Sequence, residues 1–103
     1  MQTAVQNKRT LISLLKANRQ KLRSYGVSSL SIFGSFITGK FTETSDVDLL
    51  VDFDANQKSY DNFMDLSFFL EDLLGRKVEV VTPQSLSKYL GPHILKQAER
   101  VAF

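Results

Sequence analysis

Ile32-Phe33-Gly34-Ser35, followed after ten intervening residues by Asp46-Val47-Asp48-Leu49-Leu50-Val51, is the stretch from which the rest of the chain is read. An apolar strand runs into a Gly-Ser turn, and a second apolar strand opens with two carboxylates. Residues two apart in a strand leave the same face, so Asp46 and Asp48 point together, with Cα atoms roughly 6–7 Å apart. Two carboxylates so placed can share one divalent cation, or each hold one of a pair about 4 Å apart. Gly34 lets backbone approach a ligand. Ser35 offers a hydroxyl and an N–H at the start of a helical turn, where anions bind. One half of the pattern suits metal and the other phosphate, so the predicted ligand is a metal–nucleotide complex. Each half also has a plainer reading. The Asp pair can be solvated polar punctuation with Ser45-Asp46 capping a turn, and Gly-Ser can be a simple turn. Their order and spacing favour the joint site.

With 103 residues, 43% of them hydrophobic and eight of them Phe, the chain makes one domain over 1–103. A domain of this size buries about 60–65% of its unfolded surface. That leaves no room for a separate substrate module. The absence of cysteine excludes disulfides and thiolate zinc sites and suits a reducing compartment. No apolar run approaches the ~20 residues of a membrane span. Met1 to Arg9 is too polar for a signal peptide. These features predict a cytoplasmic protein. The net charge is only +2, but Lys8, Arg9, Lys16, Arg19, Lys21 and Arg23 all precede the first acid, Glu43. Such a helix can meet nucleic acid or an acidic partner, or simply be a solvated face. No aromatic is interleaved, which argues against single-strand binding.

Leu11, Leu14, Leu15 and Leu22 predict a helix from about Thr3 to Tyr25, stopped by Gly26. Val27 to Phe33 reads as a strand. Ser35 to Lys40 reads as a short helix or turn, with Gly39 where a Cβ is expected to collide with strand or ligand. Lys40 to Ser45 is a loop. In the strand Val47 to Phe53, Val47, Leu49, Val51 and Phe53 share one face; Asp48, Leu50 and Asp52 share the other, with Asp52 assigned to the strand end. Asp54 to Ser59 is a polar loop, with Ser59 a candidate cap for the next helix. Phe63, Leu66, Leu70, Leu73 and Leu74 predict a helix over 60–74, stopped by Gly75. Phe68 and Phe69 widen its stripe, as core or as a protein-binding patch. Lys77 to Thr82 is a third strand. Thr82-Pro83 starts a helical segment that is interrupted at Gly91-Pro92 and ends near Val101. His93, the only histidine, reads as a surface or capping residue. Helices between strands argue an α/β sheet.

Glu79 is the only acid inside strand three, and by parity it lies opposite Val78 and Val80. A charge among apolar neighbours is costly unless it meets water, a partner or a metal. It is therefore either a third site carboxylate or an edge carboxylate paired with Lys77 or Arg76. A calcium loop is excluded, because an EF-hand needs an acid or amide at 50 and glycine at 51, where this chain has Leu50 and Val51.

Phe33-Gly34-Ser35 with Asp46-Val47-Asp48-Leu49 resembles the signature of the DNA polymerase beta-like nucleotidyltransferase superfamily. The run Gly34-Ser35-Phe36-Ile37-Thr38-Gly39 through Ser45-Asp46 resembles its minimal nucleotidyltransferases in particular. The resemblance implies an α/β (α+β) fold, with a small mixed sheet of three or more strands flanked by helices and the two signature strands adjacent. It implies transfer of a nucleoside monophosphate, AMP from ATP, to a hydroxyl. Two Mg²⁺ would be held by Asp46, Asp48 and a third carboxylate, for which Glu79 stands in the expected place, and Gly34 and Ser35 would hold phosphates. Many such proteins are antitoxins paired with a helical ribonuclease toxin of the HEPN family. This chain departs from the pattern in having Glu79 where Asp is usual. It also has Phe36 and Thr38 where many members carry an Arg, which leaves Lys40 or Arg76 to serve the phosphates. The alternative is an inert member that neutralises its partner by binding. The oligomeric state is left open.

Overall fold

Asn7 starts the first helix: its side-chain Oδ1 accepts the Thr10 N–H at 2.8 Å, satisfying a donor that the helix cannot. The computed structural model describes residues 5–54, 56, 60–89 and 91–102. The single helix expected from Thr3 to Tyr25 is two helices, α1 (Lys8–Ala17) and α2 (Arg19–Ser24). Thr3 lies outside the described residues, and Val5 and Gln6 precede α1. Asn18 makes the break. Its amide donates back to the Leu14 carbonyl at 2.8 Å, competing with the backbone for the same acceptor. Leu11, Leu15 and Leu22 are nevertheless fully buried, because the two helices keep one apolar side toward the sheet.

The strands are β1 (Val27–Phe33), β2 (Val47–Phe53), β3 (Val78–Val81) and β4 (Glu99–Arg100), in the order β3-β2-β1-β4. β1 is antiparallel to β2 and to β4, and β2 is parallel to β3, so the sheet is mixed. Leu30, Ile32, Val47, Leu49, Val51 and Phe53 face one way and form the core with Leu66, Leu70 and Leu74 of α4 (Tyr60–Leu74). The face carrying Asp48 and Glu79 is the other one. On α4, Phe69 packs near Tyr25 at 5.6 Å between ring centres, whereas Phe68 stays exposed. The proposed cap Ser59 lies outside the described residues.

The expectation of helix up to Val101 is corrected. After the 3₁₀ turn Pro83–Ser85 and α5 (Gly91–Gln97), the chain extends and pairs with the free edge of β1. The Val101 N–H donates to the Leu30 carbonyl at 2.9 Å, and its side chain enters the core. A two-residue strand is too short to show a period of two in sequence. Of the basic residues of α1 and α2, Lys8 pairs with Glu99 at 3.1 Å, and Lys21 lies over the Tyr25 ring.

Candidate active site

β1 ends at Phe33, and Gly34 turns the chain with φ 78° and ψ −149°, close to a region open essentially to glycine alone. The Gly34 carbonyl accepts the N–H groups of Ile37 (3.0 Å) and Thr38 (3.1 Å), starting the short helix α3 (Ser35–Thr38). Its own N–H donates to Gln97 Oε1 at 3.0 Å. Ser35 is thus the first helical residue and is partly buried. α3 closes at Gly39, whose φ of 78° and ψ of 9° are left-handed. Nothing in the chain lies within 4 Å of a Cβ placed on Gly39, so the expected collision with the strand is absent, and the glycine serves the backbone turn.

A Cβ on Gly34, by contrast, would meet the Asp48 side chain: Cγ at 3.0 Å, Cβ at 3.2 Å and one carboxylate oxygen closer still. Gly34 is therefore what allows the Asp48 carboxylate to lie against the turn, and the two halves of the pattern meet at this contact. Asp46 is the last residue before β2. The Val47 N–H donates to the Lys77 carbonyl at 2.9 Å, locking the start of the strand beside β3. Asp48 and Glu79 are directly paired across β2 and β3. Asp52, on the same parity, pairs with Ser29 further along, away from the turn.

The electrostatics match this geometry. Burial, the charge of Glu79, a hydrogen bond with Glu79 and the charge of Asp46 together raise the Asp48 carboxyl from 3.8 to about 6. Glu79 and Asp46 therefore both act on Asp48. Among the described residues no three acids close into a ready-made cation cage. The fit to a divalent cation lies in the donor chemistry. Hard carboxylate oxygens repel one another beside an anion-type turn, and a cation at the pair would relieve that repulsion. Grooves of about 430 Å³ lie elsewhere, along Ala17–Lys21 and beside Gly75–Lys77.

Arg76 is corrected as a phosphate contact. It is buried, its Nε donates to the Val5 carbonyl at 2.7 Å, and its Nη1 donates to the carbonyls of Thr42 (2.8 Å), Ser45 (3.0 Å) and Glu43 (3.2 Å). The guanidinium also lies 5.2 Å from the centre of the Phe36 ring, which stacks on Phe41. It is thus not the partner of Glu79. Lys40 and His93 are exposed. Gln97 and Arg76 both support the site, and neither stands out in sequence: each is a polar residue in an unremarkable helix end or turn.

The raised Asp48 carboxyl has a stability consequence. The folded chain holds this proton more tightly than the unfolded chain, so the stabilising state is fully present below pH ~4 and is lost as pH rises through about 6. In EDTA, wild type is expected to lose roughly 1–3 kcal/mol over that window, the lower end reflecting solvent screening. Urea melts of wild type and Asp48→Asn across pH 4–8 check this. Parallel stability curves for the two chains would show that the pair carries no such strain.

A family model described as a nucleotidyltransferase domain matches residues 11–101. The protein adenylyltransferase MntA of Thermococcus cleftensis is 38% identical over 86 residues, covering 82% of this chain and 86% of its own. A solved structure assigned as a minimal nucleotidyltransferase superposes with a TM-score of 0.81 at 29% identity, covering 94% of this chain and 98% of the other. The same fold recurs, with a TM-score of 0.62 at 21% identity, in a solved complex of a tri-AMPylated Shewanella oneidensis HEPN toxin with its MNT antitoxin. That match covers 88% of this chain and 71% of the other.

Proposed function

This chain belongs to the nucleotidyltransferase domain family, and we propose that it moves AMP from ATP to a hydroxyl of a helical HEPN-type toxin, acting as that toxin's antitoxin. The observation that carries this reading is the contact of Asp48 with the Gly34 turn on one side and Glu79 on the other. It joins carboxylates able to hold Mg²⁺ with a turn able to hold phosphates. The naming of the Thermococcus cleftensis relative and the AMPylated toxin of the Shewanella complex support AMP as the group moved and a toxin as its acceptor. A cytoplasmic site of action goes with this partner. No described helix is long and apolar enough to cross a membrane.

Asp46 and Asp48 would hold two Mg²⁺, which when bound neutralise charge on the triphosphate and on the attacking oxygen. Gly34, whose own N–H is held by Gln97, would let the outer phosphates approach the turn, and Ser35 would orient them through its N–H and hydroxyl. The acceptor oxygen forms a bond to the α-phosphorus as the bond to the bridging oxygen of the β-phosphate breaks, and pyrophosphate leaves. Glu79 would take the acceptor's proton, a role supported by its exposure on the edge strand beside Asp48.

The test is to incubate the purified chain with labelled ATP and Mg²⁺, alone and with the product of the neighbouring gene. Label on that product supports the reading. A stable unlabelled complex would instead favour neutralisation by binding alone. Glu79 is tested separately: Glu79→Gln is expected to lose about 10²–10⁴-fold in transfer, the usual worth of a general base, while still binding ATP. Glu79→Asp should keep transfer. Undiminished single-turnover transfer by Glu79→Gln would remove the residue from the site.

A further inference from the structure

Arg76 is the one charged side chain buried among the described residues, at 8% exposure. A buried charge is usually balanced by an opposite one. Here the recorded hydrogen-bond partners are backbone carbonyls instead, drawn from two distant segments. Nη1 alone gathers three carbonyls of a single turn. That turn closes on itself through Ser45 N–H to the Thr42 carbonyl (3.2 Å) and Thr42 N–H to Ser45 Oγ (2.8 Å). Three carbonyl dipoles pointed at one spot repel unless a cation sits there. The last of them, Ser45, belongs to the peptide bond that carries Asp46. The guanidinium carbon meanwhile lies over the ring of Phe36, at 5.2 Å from its centre, in the helix that starts at Ser35. Lysine could not substitute, because a single ammonium cannot reach the Val5 carbonyl and the carbonyls of the turn together.

We propose that Arg76 is a positioning residue for the carboxylate site: by holding the Ser45 carbonyl it sets the peptide that carries Asp46, and by lying over the ring of Phe36 it sets the turn at Gly34-Ser35. This rests on the reading of Asp46 and Asp48 as metal ligands. Arg76 acts through the backbone it holds.

The test uses the full chain with Arg76→Lys, Arg76→Met and, as a control, the distant core variant Leu15→Val, at a temperature where circular dichroism shows each folded. Two quantities are read: the affinity for Mn²⁺ by electron paramagnetic resonance, and hydrogen exchange of the amides at 42–47. Both Arg76 variants are expected to bind Mn²⁺ about 10–100-fold more weakly, the usual cost of losing a residue that orients a metal ligand, and to exchange faster at 42–47. Leu15→Val should lower the melting temperature without moving either quantity. Should the Arg76 variants not fold, Phe36→Leu keeps the hydrogen bonds but removes the ring. It must then show weaker Mn²⁺ binding and faster exchange at 42–47, or the proposal fails. Arg76→Lys binding Mn²⁺ as tightly as wild type would overturn this inference alone. A wild-type chain that binds no Mn²⁺, with or without ATP, would overturn the metal reading and this inference with it.

Discussion

Asp46→Asn and Asp48→Asn are each expected to lose nucleotide transfer by about a thousandfold or more, since placing the metal charge is worth several kcal/mol in the transition state and each 1.36 kcal/mol is tenfold. Neither change should unfold the chain, because Asn keeps the shape and polarity of Asp. Asp48→Asn should in fact be the more stable protein at neutral pH in EDTA. Its carboxyl is held at about 6 by burial and by the charges of Glu79 and Asp46, so removing the charge removes the repulsion. Asp46→Asn deletes one of the smaller contributions and should shift stability less, in the same direction. Loss of activity with gain of stability in one variant is the signature of a strained functional site, and a structural carboxylate would not give it. Single-turnover transfer of labelled AMP, measured beside urea melts, reads both quantities. Wild-type transfer in either variant would sink the enzymatic reading of the pair.

How much of this was legible depended on whether the information was periodic. Strand parity is periodic, so the common face of Asp48 and Glu79 could be read from alternation in Val47–Phe53 and Val78–Val81. The mixed sheet and the antiparallel β1–β2 pair then placed it where the resemblance implied. The helix over 60–74 was legible for the same reason. Three features were not. Asn18 breaks the first helix through one side-chain hydrogen bond that no apolar stripe records. β4 exists because Glu99 and Arg100 find the open edge of β1, a tertiary fact. Arg76 sits between Gly75 and Lys77 and reads as a partner for Glu79 or for phosphates, yet it is buried against the loop before Asp46. Of the two glycines around α3, sequence assigned steric reasons to both. Within the chain only Gly34 has one, and the atom it makes room for belongs to Asp48.

That contact makes Gly34 the position where the smallest substitution is expected to do the most harm to the fold and to transfer together. Gly34→Ala adds one methyl. It must adopt φ 78° and ψ −149°, a conformation costing about 1–3 kcal/mol for a residue with a side chain. Its Cβ would also stand 3.0 Å from Asp48 Cγ and nearer to a carboxylate oxygen, and such overpacking costs about 1–3 kcal/mol more. Turning the Asp48 side chain can relieve the contacts with its carboxylate but not the 3.2 Å contact with its Cβ, which β2 fixes by pairing on both sides, to β1 and to β3. The expected outcome is therefore a less stable chain whose transfer falls as severely as in Asp48→Asn, because the carboxylate is displaced from its place between the turn and Glu79. A double variant separates the two costs. In Gly34→Ala/Asp48→Ala the obstructing carboxylate is gone, so the steric part should be recovered while the backbone part persists. The double variant should then lie above the sum of the two single effects by about 1–3 kcal/mol, the range seen for residues in contact. Strict additivity in urea melts would mean that the glycine serves the backbone alone and that its closeness to Asp48 carries no energy.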